Sequence, residues 1–286
     1  MSRLDQFESV FKSAAKATFT FEPVSIHRVL ILTDLEADAA AVYARRVRDF
    51  LQEIGASDAL AWEVVVDTRC RSIGDMLELV AGFAPDLVCA YRNLHSGAWR
   101  WPHSLSDHIE VLTQATEVPV LLLPRPGQET GWEDATGAPF TVMAMTDHLA
   151  GDDQLVEYGV AFAGERGRLV LTHVENEHVF ERYMDVISKL PRVQTDVARE
   201  DIGAQLLKEP RDYIERARAG LQEAGVALTV EAVVQMGHHL TTCQELIAAN
   251  KVDLLVIHTK DHGQLAMQGL SYQLAVALRD IPILMI

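Results

Sequence analysis

Short apolar runs alternate along the chain with longer stretches whose apolar residues recur at helical spacing. The first run, HRVLILTD from His27 to Asp34, predicts a strand, and a helix-period stretch from about Ala37 to Leu51 follows it. AWEVVVDT predicts a second strand. GDMLELVAGFAPDLVCAY predicts a helix and then a third strand that is apolar throughout, as strands covered on both faces are. A helix around Ser106–Ala115 and the strand VPVLLLP complete this half. Pro124 to Phe140, rich in Pro, Gly and acid and without a period, reads as a linker.

Beyond the linker the same pieces return in order. TVMAMTDH answers VLILTDL, VDLLVIHT answers PDLVCAYR, and IPILMI answers VPVLLLP. Three matches in register argue for a duplication in which Asp34 corresponds to Asp147 and Pro119 to Pro282. The Asp-to-Pro interval is 85 residues in the first half (119 − 34) and 135 in the second (282 − 147). The excess, from RLVLTHVENE through a long helix-period stretch, amounts to one extra βα unit. Strands alternating with helices predict parallel β–α–β units. The expected architecture is α/β, with two tandem doubly wound parallel-sheet domains, the first shortened. Their expected bounds are 25–124 and 140–286, with a linker at 125–139 and an N-terminal extension at 1–24. In that extension Leu4, Phe7, Val10, Phe11 and Ala14 fall at helical spacing.

Composition narrows the function. The 286-residue chain is 49% apolar and 23% charged, so it is expected to fold throughout. Its formal charge of −16 opposes a phosphate backbone and argues against nucleic acid as a partner. Cys70, Cys89 and Cys243 have no metal-type spacing and read as reduced structural cysteines. No run of 18 apolar residues is present, so membrane insertion is not expected. The N-terminus carries Asp5 and Glu8 instead of a secretory pattern, and the expected compartment is the cytoplasm.

Open parallel sheets bind ligands beyond the carboxyl ends of their strands. In the second half those ends carry Asp147 and His148, then His173, then Gly237, His238 and His239, then His258, Asp261 and His262. Six of the eleven histidines thus fall at one expected edge, the most informative polar feature of the chain.

The strand ending in Asp147, the strand ending LTHV, the VVQMGHH turn, DLLVIHTKDHGQLAMQGLS and the closing IPILMI together resemble the universal stress protein family. The duplication resembles its tandem two-domain members. The likeness covers residues 140–286 well and 27–124 loosely. It implies an adenine contact at Asp147, with Asp34 as its first-half counterpart. It also implies a phosphate loop patterned Gly, two residues, Gly, nine residues, Gly, then Ser or Thr. Here the counterpart begins at His258, has Asp261 at the second glycine and keeps only Gly269, followed by Leu270 with Ser271 next. The first half has Tyr91 and Leu94 at the expected glycines and Ser106 at the third. Backbone N–H groups close on phosphate oxygens only where side chains leave room, so the broken pattern argues against strong triphosphate binding. The implied ligand class is an adenine nucleotide, ATP or AMP, lined by Asp147, His173, Gly237, His238, His258, Asp261, Gly269 and Ser271. In the family the corresponding edge strands pair between domains; here Val118–Leu123 and Ile281–Ile286 are expected to pair within the chain and hide two edges, with further homodimerisation left open.

Other readings of the same residues stay open. Asp34 and Asp147 also suit helix starts, and Gly269 and Ser271 the start and cap of the last helix. His173, His238, His239, His258 and His262 are either polar loop residues or a metal or pH-responsive cluster. Tyr91, Trp99 and Trp101 are expected to cover the shortened sheet, with stacking on a ligand base as the alternative. Phe180, Tyr183, Met184, Ile187 and Leu190 are expected to pack a helix, with a partner groove as the alternative. No Walker loop, HxGH or GxSxG motif occurs, so binding without turnover is expected. The functional alternatives are a small-ligand sensor and a ligand-free interaction scaffold.

Overall fold

The computed structural model describes residues 19–56, 59, 61–97, 104–127, 132, 140–145, 152–191, 193–259 and 269–286. In the first half, β1 (Arg28–Leu32), α1 (Ala37–Glu53), β2 (Ala61–Val65), α2 (Ile73–Phe83), β3 (Leu87–Tyr91), α3 (Asp107–Ala115) and β4 (Val120–Leu123) follow one another. In the second half come β5 (Thr141–Met145), α4 (Asp153–Ala163), β6 (Arg168–Asn176), α5 (Glu177–Ser188), α6 (Thr195–Glu223), β7 (Thr229–Gly237), α7 (His239–Asn250), β8 (Leu254–Ile257), α8 (Gly269–Ala277) and β9 (Ile283–Met285).

Local chemistry explains the elements. Ala40, Tyr43, Ala44, Val47, Phe50 and Leu51 form the buried stripe of α1 at helical spacing. Ser72 and Asp75 make a reciprocal capping box that starts α2. Every residue of β3 and β4 is buried, in keeping with strands covered on both faces.

The strands form one sheet in the order β2-β1-β3-β4-β9-β8-β5-β6-β7. Pairing is parallel everywhere except at β4–β9, where Val120, Leu121 and Leu122 oppose Met285, Leu284 and Ile283 in antiparallel register. The two closing strands therefore pair with each other, and the order of the first half is mirrored by that of the second. In each half the first strand lies between its second strand and a later one: β1 between β2 and β3, β5 between β6 and β8. Crossovers leave it in opposite directions, and right-handedness then sends the helices to opposite sheet faces. The strand order reverses at β1/β3 and at β5/β8, which are the two switch-point crevices.

One core runs across the seam, with Leu121, Leu122, Ile283 and Leu284 fully buried. The linker is anchored to it, because Trp132 and Phe140 pack edge-on against Phe50 at 5.5 and 5.8 Å. At the N-terminal side Phe19 meets Tyr213 of α6 edge-on, and the Glu22 N–H donates to Glu157 Oε1 at 2.9 Å. The stretch Leu4 to Ala14 and the tryptophans Trp99 and Trp101 lie outside the described residues. One sequence expectation needs correction. Phe180 and Met184 are buried as a packed helix requires, but Tyr183 and Leu190 are exposed. The buried side of α5 runs through Phe180, Met184 and the partly buried Ile187, spaced four and three apart; Tyr183, adjacent to Met184, falls off that side, and Leu190 lies beyond the end of the helix.

Candidate functional site

The first crevice is filled by the chain itself. Tyr91 ends β3, has no exposed surface, and donates its hydroxyl proton to Asp34 Oδ1. The same phenol oxygen accepts the Asp34 N–H at 2.9 Å, and the His95 N–H donates to Asp34 Oδ2 at 2.9 Å. Burial, followed by the hydrogen bond to Asp34, pushes the phenol above the ordinary tyrosine range, so it stays a donor. Tyr43 packs edge-on against its ring at 5.3 Å and the Arg125 guanidinium lies 5.7 Å from the ring centre. Asp34 caps no helix: the position before α1 is Glu36, without a side-chain cap. It is the internal anchor of the loop after β3.

That loop has an unusual backbone. Asn93 and His95 have φ of 60° and 53°, and Ser106 has φ 91° with ψ 153°. The last is a region almost confined to glycine, and a residue held there costs on the order of 1–3 kcal/mol. Ser106 is where the resemblance expects a glycine, and the chain keeps the glycine-like turn with a serine in it. Its buried Oγ has no partner among the described residues. Nearby, the His95 and His108 rings lie 4.8 Å apart, and neither Nε2 has a partner among the described residues. His95 Nδ1 sits 3.5 Å from Asp67 Oδ1. Arg92, also buried, donates to the Ala275 carbonyl in the last turn of α8 and so ties the halves together. Burial lowers its pKa to about 9.

In the second crevice the equivalent position behaves differently. Tyr91 lies two residues beyond Cys89, which is registered with Ile31, and His258 lies two beyond Val256, registered with Ala144. His258 is drawn to the start of α4, with its Nε2 2.7 Å from Asp152 Oδ2. Asp152 is held there because its Oδ1 accepts the Leu155 N–H at 3.1 Å as the helix N-cap. His173 is buried on β6, with Nε2 3.4 Å from Glu175 Oε2 and Nδ1 without a partner among the described residues.

The remaining candidates separate. Gly237 ends β7 as a packing glycine, since a Cβ there would stand 2.4 Å from Thr242 Oγ1 in the first turn of α7. His238 is three-quarters exposed and 4.0 Å from Glu177. Gly269 begins α8, and Ser271 is the third residue of that helix, not its cap. Asp147, Asp261, His148 and His262 lie outside the described residues. His173 and His258 therefore engage different carboxylates, and no group of three metal-ligating side chains occurs among the described residues. Sequence reading missed His95, His108, Asp67 and Arg92. Asp34, Tyr91, Leu94 and Ser106, all noted in the sequence, marked that crevice in advance.

No family model matches the chain, and no curated relative matches it. Several solved structures align with much of its length. A Pseudomonas aeruginosa UCBPP-PA14 protein, provisionally assigned to the universal stress proteins, aligns over 91% of this chain and 82% of its own at 12% identity and a TM-score of 0.46. A Pseudomonas aeruginosa PAO1 protein of unknown function aligns over 94% and 90% at 11% identity, TM-score 0.45. A universal stress protein from Archaeoglobus fulgidus aligns over 91% and 87% at 11% identity, TM-score 0.44. At these identities and scores the matches assign no function.

Proposed function

We propose that the chain is a non-catalytic binding protein of the kind its sequence resembles, a duplicated universal-stress-like chain that takes a small ligand in the second crevice, between β5 and β8. The ligand class is an adenine nucleotide with few phosphates, since the loop after β8 has Asp261 where a phosphate loop needs glycine. The observation that carries the reading is the difference between Tyr91 and His258. Tyr91 bonds the strand-end carboxylate of its own half, whereas His258 at the equivalent position bonds Asp152 at the α4 N-cap instead. The first half then serves as a fixed partner domain.

The test is denaturing extraction of the purified protein with mass spectrometry for nucleotides, joined to thermal-shift titration with AMP and ATP. AMP is expected to stabilise saturably, by about 2.7 kcal/mol at a hundredfold excess over Kd. Asp147→Ala should abolish the shift, and Asp34→Ala should leave it in place on a lowered baseline. Absence of retained nucleotide together with no shift for either ligand would sink the reading.

A further inference from the structure

The stretch before β1 follows α4 and then reaches α6. The Glu22 N–H donates to Glu157 Oε1, and the Thr20 N–H to Asp153 Oδ2 in the first turn of α4. Phe19 meets Tyr213 of α6 edge-on, and a Cβ at Gly220 would stand 2.6 Å from its ring. Followed from Glu22 back to Thr20, the chain therefore heads for the N-terminal end of α4. Arg211 bonds Val234 and Arg218 bonds Val230, so α6 runs antiparallel to β7, as the crossover helix α4 runs to β5 and β6. Both helices thus begin at the carboxyl edge of the sheet, and the residues preceding Phe19 are aimed at the first turns of α6. That end of α6 and its neighbour α5 carry an apolar surface. Six of the seven large apolar residues strongly exposed among those described are Tyr183, Val186, Leu190, Val193, Val197 and Ile202. Three of them share a flank. α5 and α6 pack as an antiparallel hairpin, with Glu181 bonded to Arg199 and Phe180 facing Gly203. Tyr183 and Val186 trail Phe180 by about 60° and 120° around α5, and Ile202 trails Gly203 by about 100° around α6. On antiparallel helices the same sense of rotation leads to the same side. Ile202, Leu206, Tyr213 and Gly220, spaced four, seven and seven apart, also lie on one side of α6, so the flank is continuous with the place where Phe19 sits.

The residues ahead of Phe19 match that flank in pattern, length and charge. Wound as a helix, Leu4, Phe7, Val10, Phe11 and Ala14 form one apolar side and Asp5, Glu8, Lys12 and Lys16 the other. Leu4 to Ala14 is eleven residues (14 − 4 + 1), about 16 Å of helix, and Ile202 stands eleven residues before Tyr213 (213 − 202), the same length along α6. Residues 1–18 hold three bases and two acids (3 − 2 = +1) in a chain of −16, whereas the whole of α5 and α6 with their connection, Glu177 to Glu223, holds eight bases and ten acids (8 − 10 = −2). Opposite signs favour the contact. Tethering through Phe19 favours it further, because it supplies an effective concentration that a separate partner would have to match. We infer that this flank of the α5–α6 hairpin is the docking surface of the chain's own N-terminal segment, Met1 to Thr18, held as an amphipathic helix whose apolar side covers Ile202, Tyr183 and Val186.

Hydrogen exchange followed by mass spectrometry on the full chain tests this directly. Amides from Leu4 to Ala14 are expected to exchange on the order of tenfold or more slowly than in a free peptide of the same sequence. Tyr183→Glu combined with Ile202→Glu should remove that protection while the strand amides keep theirs, which shows that the fold survives. A second readout is disulfide capture: Phe7→Cys with Ile202→Cys should close within one chain under mild oxidation, at a rate independent of protein concentration. Phe7→Cys with Val42→Cys, exposed on α1, should not. The three native cysteines are buried and do not confuse the result. A segment that exchanges like the free peptide, protection that survives the double substitution, or equal cross-linking to Val42→Cys would overturn the inference. So would a cross-link that forms only between two chains, which would give the flank to a second copy, or protection that appears only with phosphatidylglycerol vesicles, which would give the segment to a bilayer. None of these readouts involves the nucleotide crevice.

Discussion

The His108 imidazole, in the first turn of α3 and 4.8 Å from the His95 ring, makes the sharpest single-residue case for a pH effect. His108 is held below the ordinary histidine pKa by burial first and by His95 second, while Asp107, the Arg71 carbonyl and Asp34 act the other way. Asp67 faces His95 across 3.5 Å. For a base whose folded pKa is depressed, the unfolded chain takes up the proton first. Stability is then complete above about pH 6.5 and falls as the pH drops from there towards the folded pKa. Tm measured between pH 7.5 and about pH 5 should decline, and His108→Gln should flatten part of that slope. An identical slope in the variant would place the effect elsewhere.

At the scale of elements, the exposed edge of the sheet is managed by arginines. β7 is the last strand in the order. Arg211 and Arg218, two turns apart on α6, donate to the carbonyls of Val234 and Val230 at 3.2 and 3.1 Å. Val230 and Val234 have the same parity along the strand, so both carbonyls leave it on one side. Their capture blunts an edge nine residues long that would otherwise invite another strand. Replacing both arginines by alanine should cost about 1–3 kcal/mol and hasten aggregation on mild heating, followed by light scattering. Unaltered aggregation kinetics would mean that the edge is protected by other means.

At the scale of the whole molecule, the β4–β9 seam makes two half-sheets into one. Leu121 and Leu284 face each other across it, both fully buried. All four tryptophans, Trp62, Trp99, Trp101 and Trp132, precede the second half, so fluorescence reports the first part of the chain and circular dichroism the whole. In denaturant the two signals should coincide for the native protein. Leu284→Ala should cost about 2–5 kcal/mol and pull the two curves apart. Curves that remain superposed in the variant would show that the halves are coupled by contacts other than the seam.

Local pattern was enough to place most elements. Short continuous apolar runs located β1, β3, β5 and β8, helical spacing located α1 and the α5–α6 region, and the repeated closing strands pointed to the β4–β9 pair. Such features are written in neighbouring residues, because burial on a strand or helix repeats at a fixed period. The state of the crevices was not written that way. Tyr91 meets Asp34 from 57 positions away, His258 meets Asp152 from 106, and Arg92 meets Ala275 from 183. Each is a directional bond between residues that only the folded sheet brings together. The exposure of Tyr183 beside the burial of Met184 was decided in the same way, by where α6 lies against α5. The sequence by itself determined the α/β elements and which strands could close the sheet. The tertiary structure alone decided which crevice the chain fills with its own side chains and which apolar face its packed helices leave exposed, because those outcomes depend on partners distant in the chain.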